Sequence, residues 1–328
     1  MIYMVSGNNE VVEFNVNYVE YLYSKYLPDG SVVTYDWVRA DDLVLPQDAK
    51  YIIFDSSNPV DVEKYLLENT YLTRVDYVLT GIFRYYKNKP INSKIQFFPF
   101  WAIWMSTPHA PASDMGDHTF CDFPKKYKVS CLNGTEWAHR KLTYLYLSQK
   151  SYFWEMIFTF KRGSEYHSLG HEVTLTQEEN TQFDLLPRTV TFPNDKINID
   201  LSINHPAYQE TYINLVTETT VDCNTAMLSE KTFKPIVAGQ LFVLIAGSGA
   251  IQFLRDIGID TFDDIIDHSY DNVIDVRERI KLAIAQVDHL MTLDLEQLYN
   301  QIKPRLLRNS EYFRSAEFRQ QFPLIFDK

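Results

Sequence analysis

The prediction of the fold starts from two short segments, NLVTET at residues 214–219 and LSEKTFKPIVAGQLFVLI at residues 228–245. The apolar stretch from Ala207 to Val216 is a candidate strand, and Leu241 to Ala246 is another. Between them, a helix is predicted from Glu230 to Ala238, with Ser229 as its N-cap residue. A strand, a helix and a strand in this order predict one unit of a mostly parallel α/β sheet.

Similar alternation continues on both sides of this unit. Upstream, Tyr127 to Leu132 predicts a strand, and a turn and a helix from Ala138 to Leu147 follow it. The run from 152 to 160 is a further candidate strand, whereas 163–197 is polar and irregular in pattern. Downstream, helical spacing of apolar residues predicts helices at 251–257, 276–291 and 293–302.

The first third of the chain shows the same rhythm. Strands are predicted at 2–5, 31–38, 50–55, 75–79 and 95–98, with helices at 16–26 and 59–67. Four prolines interrupt this alternation between residues 99 and 126. We therefore expect an N-terminal α/β domain at 1–124, including a linker at about 105–125, and a C-terminal α/β domain at 125–328.

Composition limits the classes of function. The net charge is −12, from 31 Lys and Arg against 43 Asp and Glu, which disfavours nucleic-acid binding as the main role. Three scattered cysteines give neither a disulfide framework nor a zinc pattern. The N-terminus does not have the pattern of a signal peptide, and no apolar run is long enough to span a bilayer. These observations predict a cytoplasmic protein with no membrane span.

The polar residues of the deciding segment suit a bound nucleotide. Glu218 is expected at the carboxyl edge of a parallel sheet, where open α/β folds bind ligands. Glu230 and Lys231 fall in the first turn of the predicted helix, whose amides and dipole favour an anion. Lys231 adds a positive charge for a diphosphate, and a glutamate can accept the hydroxyls of a ribose. The alternative is that Glu230 merely stabilises a helix N-terminus and that Lys231 and Lys234 are solvated.

The same string resembles the donor-binding motif of the fucosyltransferases. In that family a strand ending in Glu precedes a Thr-Glu-Lys helix start, an Ala-Gly pair and an apolar strand. The chain is still more similar to uncharacterised phage and bacterial glycosyltransferase-like proteins, whose pattern continues through 247–249, 254–255, 258–262 and 269–271. The resemblance implies two Rossmann-like domains facing each other across a cleft, the GT-B architecture, with the last helix packing back on the first domain.

A second match lies upstream, where Asn133 and the pair His139-Arg140 resemble the start of the fucosyltransferase donor domain. The resemblance makes Arg140 the candidate phosphate-binding residue, since a guanidinium can bind phosphate oxygens in a bidentate way. The chain departs from the fucosyltransferase pattern at two places that bear on the sugar and the nucleobase of the donor. Val-Thr-Glu-Thr replaces Phe-Glu-Asn-Ser, and Ser-Glu-Lys replaces Thr-Glu-Lys. The donor-binding residues expected from this match and from the deciding segment are Asn133, Arg140, Glu218, Ser229, Glu230, Lys231, Lys234 and Gly247.

The implied activity is an inverting hexosyl or pentosyl transfer from a nucleotide-sugar. A carboxylate would remove the proton of the acceptor hydroxyl, and positive groups would stabilise the leaving diphosphate without a metal or cofactor. The candidate bases are Asp55, which a predicted strand end presents to the cleft, and Glu10. Asp114 and Asp117 are further candidates. The acceptor stays open between a glycan, including a lipid-linked sugar, and a modified base in phage DNA, in a bacterial or phage-infected cell.

Other interpretations compete with this one. A non-catalytic nucleotide- or glycan-binding protein would have the same scaffold, since a fold does not fix a function. A sugar epimerase of similar architecture would need an acid and a base flanking the sugar, and the sequence locates neither. The spacing of Asp114, Asp117 and His118, or of His167 and His171, gives only weak signals for a metal. The oligomeric state is left open.

Overall fold

The structure is a computed structural model that describes most of the chain from residue 124 to residue 321. The gaps in that range are 135, 162–172, 188, 191–202, 204 and 222–227. Upstream it describes six strands and the residues 102, 105 and 106. The chain divides into two compact units, Met1–Trp104 with Arg319–Lys328 and Met105–Phe318.

The first unit contains a six-stranded sheet in the order β2-β1-β3-β4-β5-β6. Only β2 runs antiparallel to its neighbour; the parallel strands β1, β3, β4, β5 and β6 follow one another across the sheet in chain order. The strands are β1 (Tyr3–Val5), β2 (Val11–Glu13), β3 (Ser31–Thr34), β4 (Tyr51–Phe54), β5 (Tyr77–Thr80) and β6 (Ile95–Phe97). The helices predicted at 16–26 and 59–67 lie outside the described residues.

The second unit contains a five-stranded sheet in the order β11-β10-β7-β8-β9. Four strands are parallel, and β9 is an antiparallel edge strand. Every residue of the neighbouring strands β10 and β11 is buried, as expected for a parallel sheet covered on both faces. The strands are β7 (Tyr127–Leu132), β8 (Ile157–Lys161), β9 (Thr189–Val190), β10 (Thr211–Thr217) and β11 (Leu241–Ile245).

Helices pack around this sheet and bury their apolar faces. Contacts join α4 to α7, α1 to α6, and α6 to β11. Within the described part of the chain, no helix is both long and apolar enough to cross a membrane. The helices are α1 (Ala138–Ser148), α2 (Gln177–Asp184), α3 (Pro206–Gln209), α4 (Glu230–Val237), α5 (Ala250–Asp256), α6 (Val276–Leu290), α7 (Leu295–Arg314) and α8 (Ala316–Gln320).

The α/β class and a parallel four-stranded sheet are confirmed, whereas the GT-B arrangement of two facing Rossmann-like domains stays a prediction. Local differences have physical reasons. The predicted strand at 152–160 starts with a 3-10 turn at Phe153–Glu155, and the one at 207–216 starts with helix α3, since Pro206 occupies its first turn. The polar segment expected to be irregular contains α2, because Thr176 and Glu179 form a capping box.

Helix α7 continues far beyond its predicted end at residue 302. It includes Pro304, a residue that removes a hydrogen bond from a helix interior. The helix nevertheless extends to Arg314, because its last turns bury Phe313 against Phe233 of α4 with their rings stacked 5.1 Å apart. Aromatic burial of this size stabilises the helix enough to offset the proline.

Gly258 gives a test of this packing. Its φ is +83°, and a Cβ at this position would lie 2.9 Å from the ring of Tyr312 on α7. We expect Gly258→Ala to lower the free energy of unfolding by about 1 to 3 kcal/mol, from left-handed strain and overlap together. Urea denaturation measures this change. The control is Gly134→Ala, since a Cβ at Gly134 meets nothing within 4 Å; equal stability of the two variants would contradict the expectation.

Candidate functional site

The strand order reverses between β7 and β10. From β7 the chain proceeds to β8 on one side, and it later returns to place β10 on the other side. Read from β9 to β11 with β7 as the first strand, the order is 3-2-1-4-5, as in a Rossmann sheet, except that β9 runs antiparallel. Open α/β sheets bind ligands at the carboxyl edge where the order reverses. Asn133 and Gly134, which follow β7, and Glu218, which follows β10, lie at this edge.

The carboxylate of Glu218 is fully buried and accepts four hydrogen bonds from the protein. Oε1 accepts from the Ser229 amide at 2.9 Å and from the Thr232 hydroxyl. Oε2 accepts from the Ser229 hydroxyl at 2.6 Å and from the Thr219 amide at 3.2 Å. Glu218 therefore fastens the start of α4 to the end of β10. Because both oxygens already face protein donors, this geometry favours a positioning role over contact with a ribose.

The backbone carbonyl of Glu218 receives the side chains of α1. His139 Nε2 lies 2.9 Å from this oxygen and must donate, since a carbonyl only accepts. Arg140 donates from Nη2 to the carbonyl oxygens of Thr217 and Glu218, at 3.3 Å each, and is only 2% exposed. The guanidinium thus faces the end of β10 in this structure. Its role as a phosphate-binding residue stays a prediction.

The side chain of Asn133 links the neighbouring strands β7 and β10. Its Oδ1 accepts from the Thr217 hydroxyl at 2.6 Å, and its Nδ2 donates to Cys131 Sγ at 3.3 Å. Burial raises the pKa of the Cys131 thiol to about 12, so the thiol is neutral at physiological pH. Asn133 is itself buried, and it connects β7 to β10 directly beneath the edge at which a ligand would arrive.

Lys231 is the partly exposed cation at this edge. About 30% of its side chain is exposed, and Nζ donates to Glu230 Oε1 at 2.6 Å, Ser229 Oγ at 3.2 Å and Thr219 Oγ1 at 3.4 Å. Burial acts to raise the pKa of Glu230, but the charges of Lys231 and Lys234 outweigh it and lower the pKa overall. Lys234 is buried, with Nζ 5.4 Å from the centre of the Tyr208 ring. Lys231 is therefore better placed than Lys234 to meet a ligand.

Two helix N-termini near this edge differ in their capping. At α5, Gly249 adopts a left-handed φ of +85°, and the Asp271 carboxylate accepts from the Ile251 amide at 3.2 Å. The neighbouring Gly247 is buried, and its carbonyl accepts from the Ala250 amide. At α1, the N-cap residue Trp137 makes no side-chain cap and the first turn has no acidic residue. The positive end of the α1 dipole is thus not offset by an acid of its own first turn.

Sequence reasoning missed three residues at this edge. Gly134 is exposed and lies in the first turn between strand and helix, where Rossmann folds bring their backbone close to a ligand, so its position was a usable signal. Asp271 enters the sequence analysis only within the stretch 269–271, with no role of its own predicted. Arg279 is buried on α6 and donates to the carbonyls of Val221, Ala246, Val273 and Ile274. The spacing of α6 was a usable signal, since Arg279 falls between Val276 and Ala283 on the apolar face of the helix.

The structure does not test every residue that the sequence predicts for this site. Asp55, Glu10, Asp114, Asp117, His118, His167 and His171 lie outside the residues that the structure describes. Among those that it does describe, no group of three or more His, Cys, Asp or Glu side chains could hold a metal ion.

Comparison with known proteins adds no family to this description. No protein-family model matches the chain. A search of curated proteins finds no match either.

Asp271 predicts a pH dependence of stability. Burial raises its pKa to about 6, against hydrogen bonds from the Ile251 and Gln252 amides that lower it. The folded state therefore holds this proton more tightly than the unfolded state, and the resulting stability is lost as the pH rises from about 4 to about 6. We expect the free energy of unfolding of the wild type, relative to Asp271→Asn, to fall by up to about 3 kcal/mol over that range.

Chemical denaturation of both proteins at pH 4, 5, 6 and 7 measures this difference. The difference should level off above pH 7, since Asp271 is then ionised in both states. A difference that does not change with pH would contradict the raised pKa.

Proposed function

We propose that this protein is a glycosyltransferase that binds the diphosphate of a nucleotide-sugar at the carboxyl edge of the five-stranded sheet. The observation that carries the proposal is that two features lie at the same edge of the sheet, where the strand order reverses. One is the Gly134 turn that leads into α1, and the other is Lys231 in the first turn of α4. Helix α1 contacts the carbonyl of Glu218 through His139, and Lys231 is linked to the Glu218 carboxylate through the Ser229 hydroxyl.

The proposed contacts follow from the chemistry of phosphate. Phosphate oxygens accept hydrogen bonds, and they are favoured at the N-terminus of a helix, where the dipole is positive. Gly134 presents exposed backbone at that point, with open space beside its Cα. Lys231 supplies an ammonium group whose present carboxylate partner is Glu230. An incoming phosphate would share this ammonium with Glu230.

The proposed reaction is a single displacement. The bond between the anomeric carbon and the diphosphate oxygen breaks, and a bond from that carbon to the acceptor oxygen forms. The acceptor proton passes to a carboxylate, and the diphosphate leaves with the electron pair. The described carboxylates at this edge already have protein partners: Glu218 has four donors, Glu230 has Lys231, and Asp271 has the Ile251 amide. The general base is therefore proposed in the first domain, with Asp55 and Glu10 as the candidates.

The remaining parts of the proposal come from the resemblance to the fucosyltransferases and the phage proteins. They are the GT-B arrangement of the two domains, inversion at the anomeric carbon, and independence of metals and cofactors. The acceptor is a glycan hydroxyl or a modified base in DNA, and the reaction would take place in the cytoplasm.

Because the described carboxylates of this edge already have protein partners, a second candidate is a nucleotide- or glycan-binding protein without turnover. In that case the site would hold a nucleotide, and no base would activate an acceptor. The two candidates differ in hydrolysis of the donor: a transferase consumes nucleotide-sugar slowly even without acceptor, whereas a binding protein does not. Nucleotide binding without any turnover, across a panel of donors and acceptors, would favour the binding protein.

The first test of the site is Lys231→Ala. Loss of a charge-assisted hydrogen bond to phosphate is expected to weaken nucleoside-diphosphate binding about 10- to 100-fold, and donor hydrolysis should be lost with it. A thermal-shift panel of nucleoside diphosphates first identifies the nucleobase that the protein prefers, because a ligand that binds only the folded state raises the melting temperature. Calorimetry on that nucleotide then gives the dissociation constant.

The matched control is Lys128→Ala, which removes an exposed lysine from the amino-terminal half of β7. It should leave the dissociation constant unchanged. If no nucleoside diphosphate shifts the melting temperature of the wild type, the proposed function is wrong.

Gly134→Ala tests whether the ligand approaches the turn before α1. The added methyl group meets no protein atom within 4 Å, so stability should not change. A diphosphate that lies against this backbone would meet the methyl group, and we expect its binding to weaken about tenfold or more. Calorimetry and thermal denaturation of the same preparation measure both quantities. Unchanged affinity would place the ligand elsewhere along the edge.

A further inference from the structure

We infer that Glu218 is a positioning residue that holds the Lys231 ammonium in place through the hydroxyl group of Ser229. This inference rests on the proposed function only where it concerns phosphate, since the contacts belong to the protein alone. Lys231 Nζ lies 3.2 Å from Ser229 Oγ, and Ser229 Oγ lies 2.6 Å from Glu218 Oε2. The three groups form one chain of hydrogen bonds from the partly exposed Lys231 to the buried Glu218.

The direction of this chain is fixed by what each group can donate. An ammonium only donates and an ionised carboxylate only accepts. The Ser229 hydroxyl has one proton, and it must give that proton to Glu218. Its lone pairs are then directed at Lys231, whose amide at 3.4 Å and ammonium both donate to it. Because Ser229 is buried, solvent does not readily replace either partner.

Replacing the Glu218 carboxylate by an amide reverses the direction of the hydrogen bond between residue 218 and Ser229. Gln at position 218 has one accepting oxygen and one donating nitrogen. The oxygen is needed by the Ser229 amide and the Thr232 hydroxyl, which both donate to the present Oε1. The nitrogen then faces the Ser229 hydroxyl and donates to it, so the hydroxyl proton turns away towards the Lys231 side. An ammonium cannot accept that proton, so Lys231 Nζ should move away from Ser229 Oγ and keep only its contacts with Glu230 and Thr219.

The same carboxylate provides its own control. The Thr232 hydroxyl donates to Oε1 and takes no part in the chain through Oε2. Thr232→Val therefore removes a donor to Glu218, and should destabilise the fold, without altering the direction of the hydrogen bond from Ser229. A role of Glu218 in stability alone would make Thr232→Val and Glu218→Gln alike in their effect on ligands.

The first measurement is a double-mutant cycle on the full chain, with inorganic pyrophosphate as the probe and calorimetry as the readout. Glu218→Gln and Lys231→Ala should each weaken pyrophosphate binding about tenfold or more, and the double variant should be no weaker than Lys231→Ala. Thr232→Val should bind as the wild type does. If the effects of the two substitutions multiply, or if Thr232→Val weakens binding equally, Glu218 does not act through Lys231.

The second measurement needs no ligand. The rate at which an amine-reactive reagent modifies Lys231, followed by mass spectrometry, should rise in Glu218→Gln and in Ser229→Ala but not in Thr232→Val. Ser229→Ala covers the case in which Glu218→Gln does not fold. If Lys231 reacts at the wild-type rate in both Glu218→Gln and Ser229→Ala, the positioning role is wrong. If no nucleoside diphosphate binds the wild type but these rates rise, the proposed function fails and the positioning role stands.

Discussion

The buried carboxylate of Glu218 is the constraint on which the carboxyl edge of the five-stranded sheet depends. A charged carboxylate buried without partners costs several kcal/mol, so its four donors are a requirement of the fold. Three of these donors come from Ser229 and Thr232 at the start of α4. The carbonyl of the same residue receives His139 and Arg140 from α1. One residue thereby sets where two helices begin relative to the strand between them.

The edge combines positions at which internal charges meet backbone groups with positions at which no acidic side chain caps a helix. Asp271 supplies an internal anion to the start of α5, and Arg279 supplies an internal cation to the carbonyls of Val221 and Ala246. The first turn of α1 has neither an N-cap side chain nor an acidic residue, and Lys231 at the start of α4 is partly exposed. Among the described positions of this edge, an external anion is favoured at this second kind. This contrast, more than the presence of charged residues, gives the nucleotide proposal its physical basis.

The sequence was sufficient for elements whose pattern is local. Strand β7, helix α4 and strand β11 have apolar runs bounded by turn or cap residues, and their predicted limits agree with the structure within a residue or so. It was insufficient where packing decides, as in α7, which passes through Pro304 because Phe313 is buried. The site shows the same division. The sequence places Glu218, Ser229 and Lys231 together, but the number of donors around Glu218 depends on atoms brought together by folding. Likewise, the sequence indicates a role for Arg140 and places Arg279 on an apolar helix face, but it does not reveal the carbonyl partners of either.

The pairing of β7 with β10 has a consequence for how the chain acquires its structure. Asn133 and Thr217, whose side chains join these strands, are separated by 84 residues, whereas Asn133 and its partner Thr159 on β8 are separated by 26. Closing the shorter loop costs less entropy, so β7 and β8 can associate first. During synthesis one edge of β7 then stays unpaired until β10 has been translated. An apolar strand in this state is open to pairing with other chains, and the last strands to join are those that complete the polar edge.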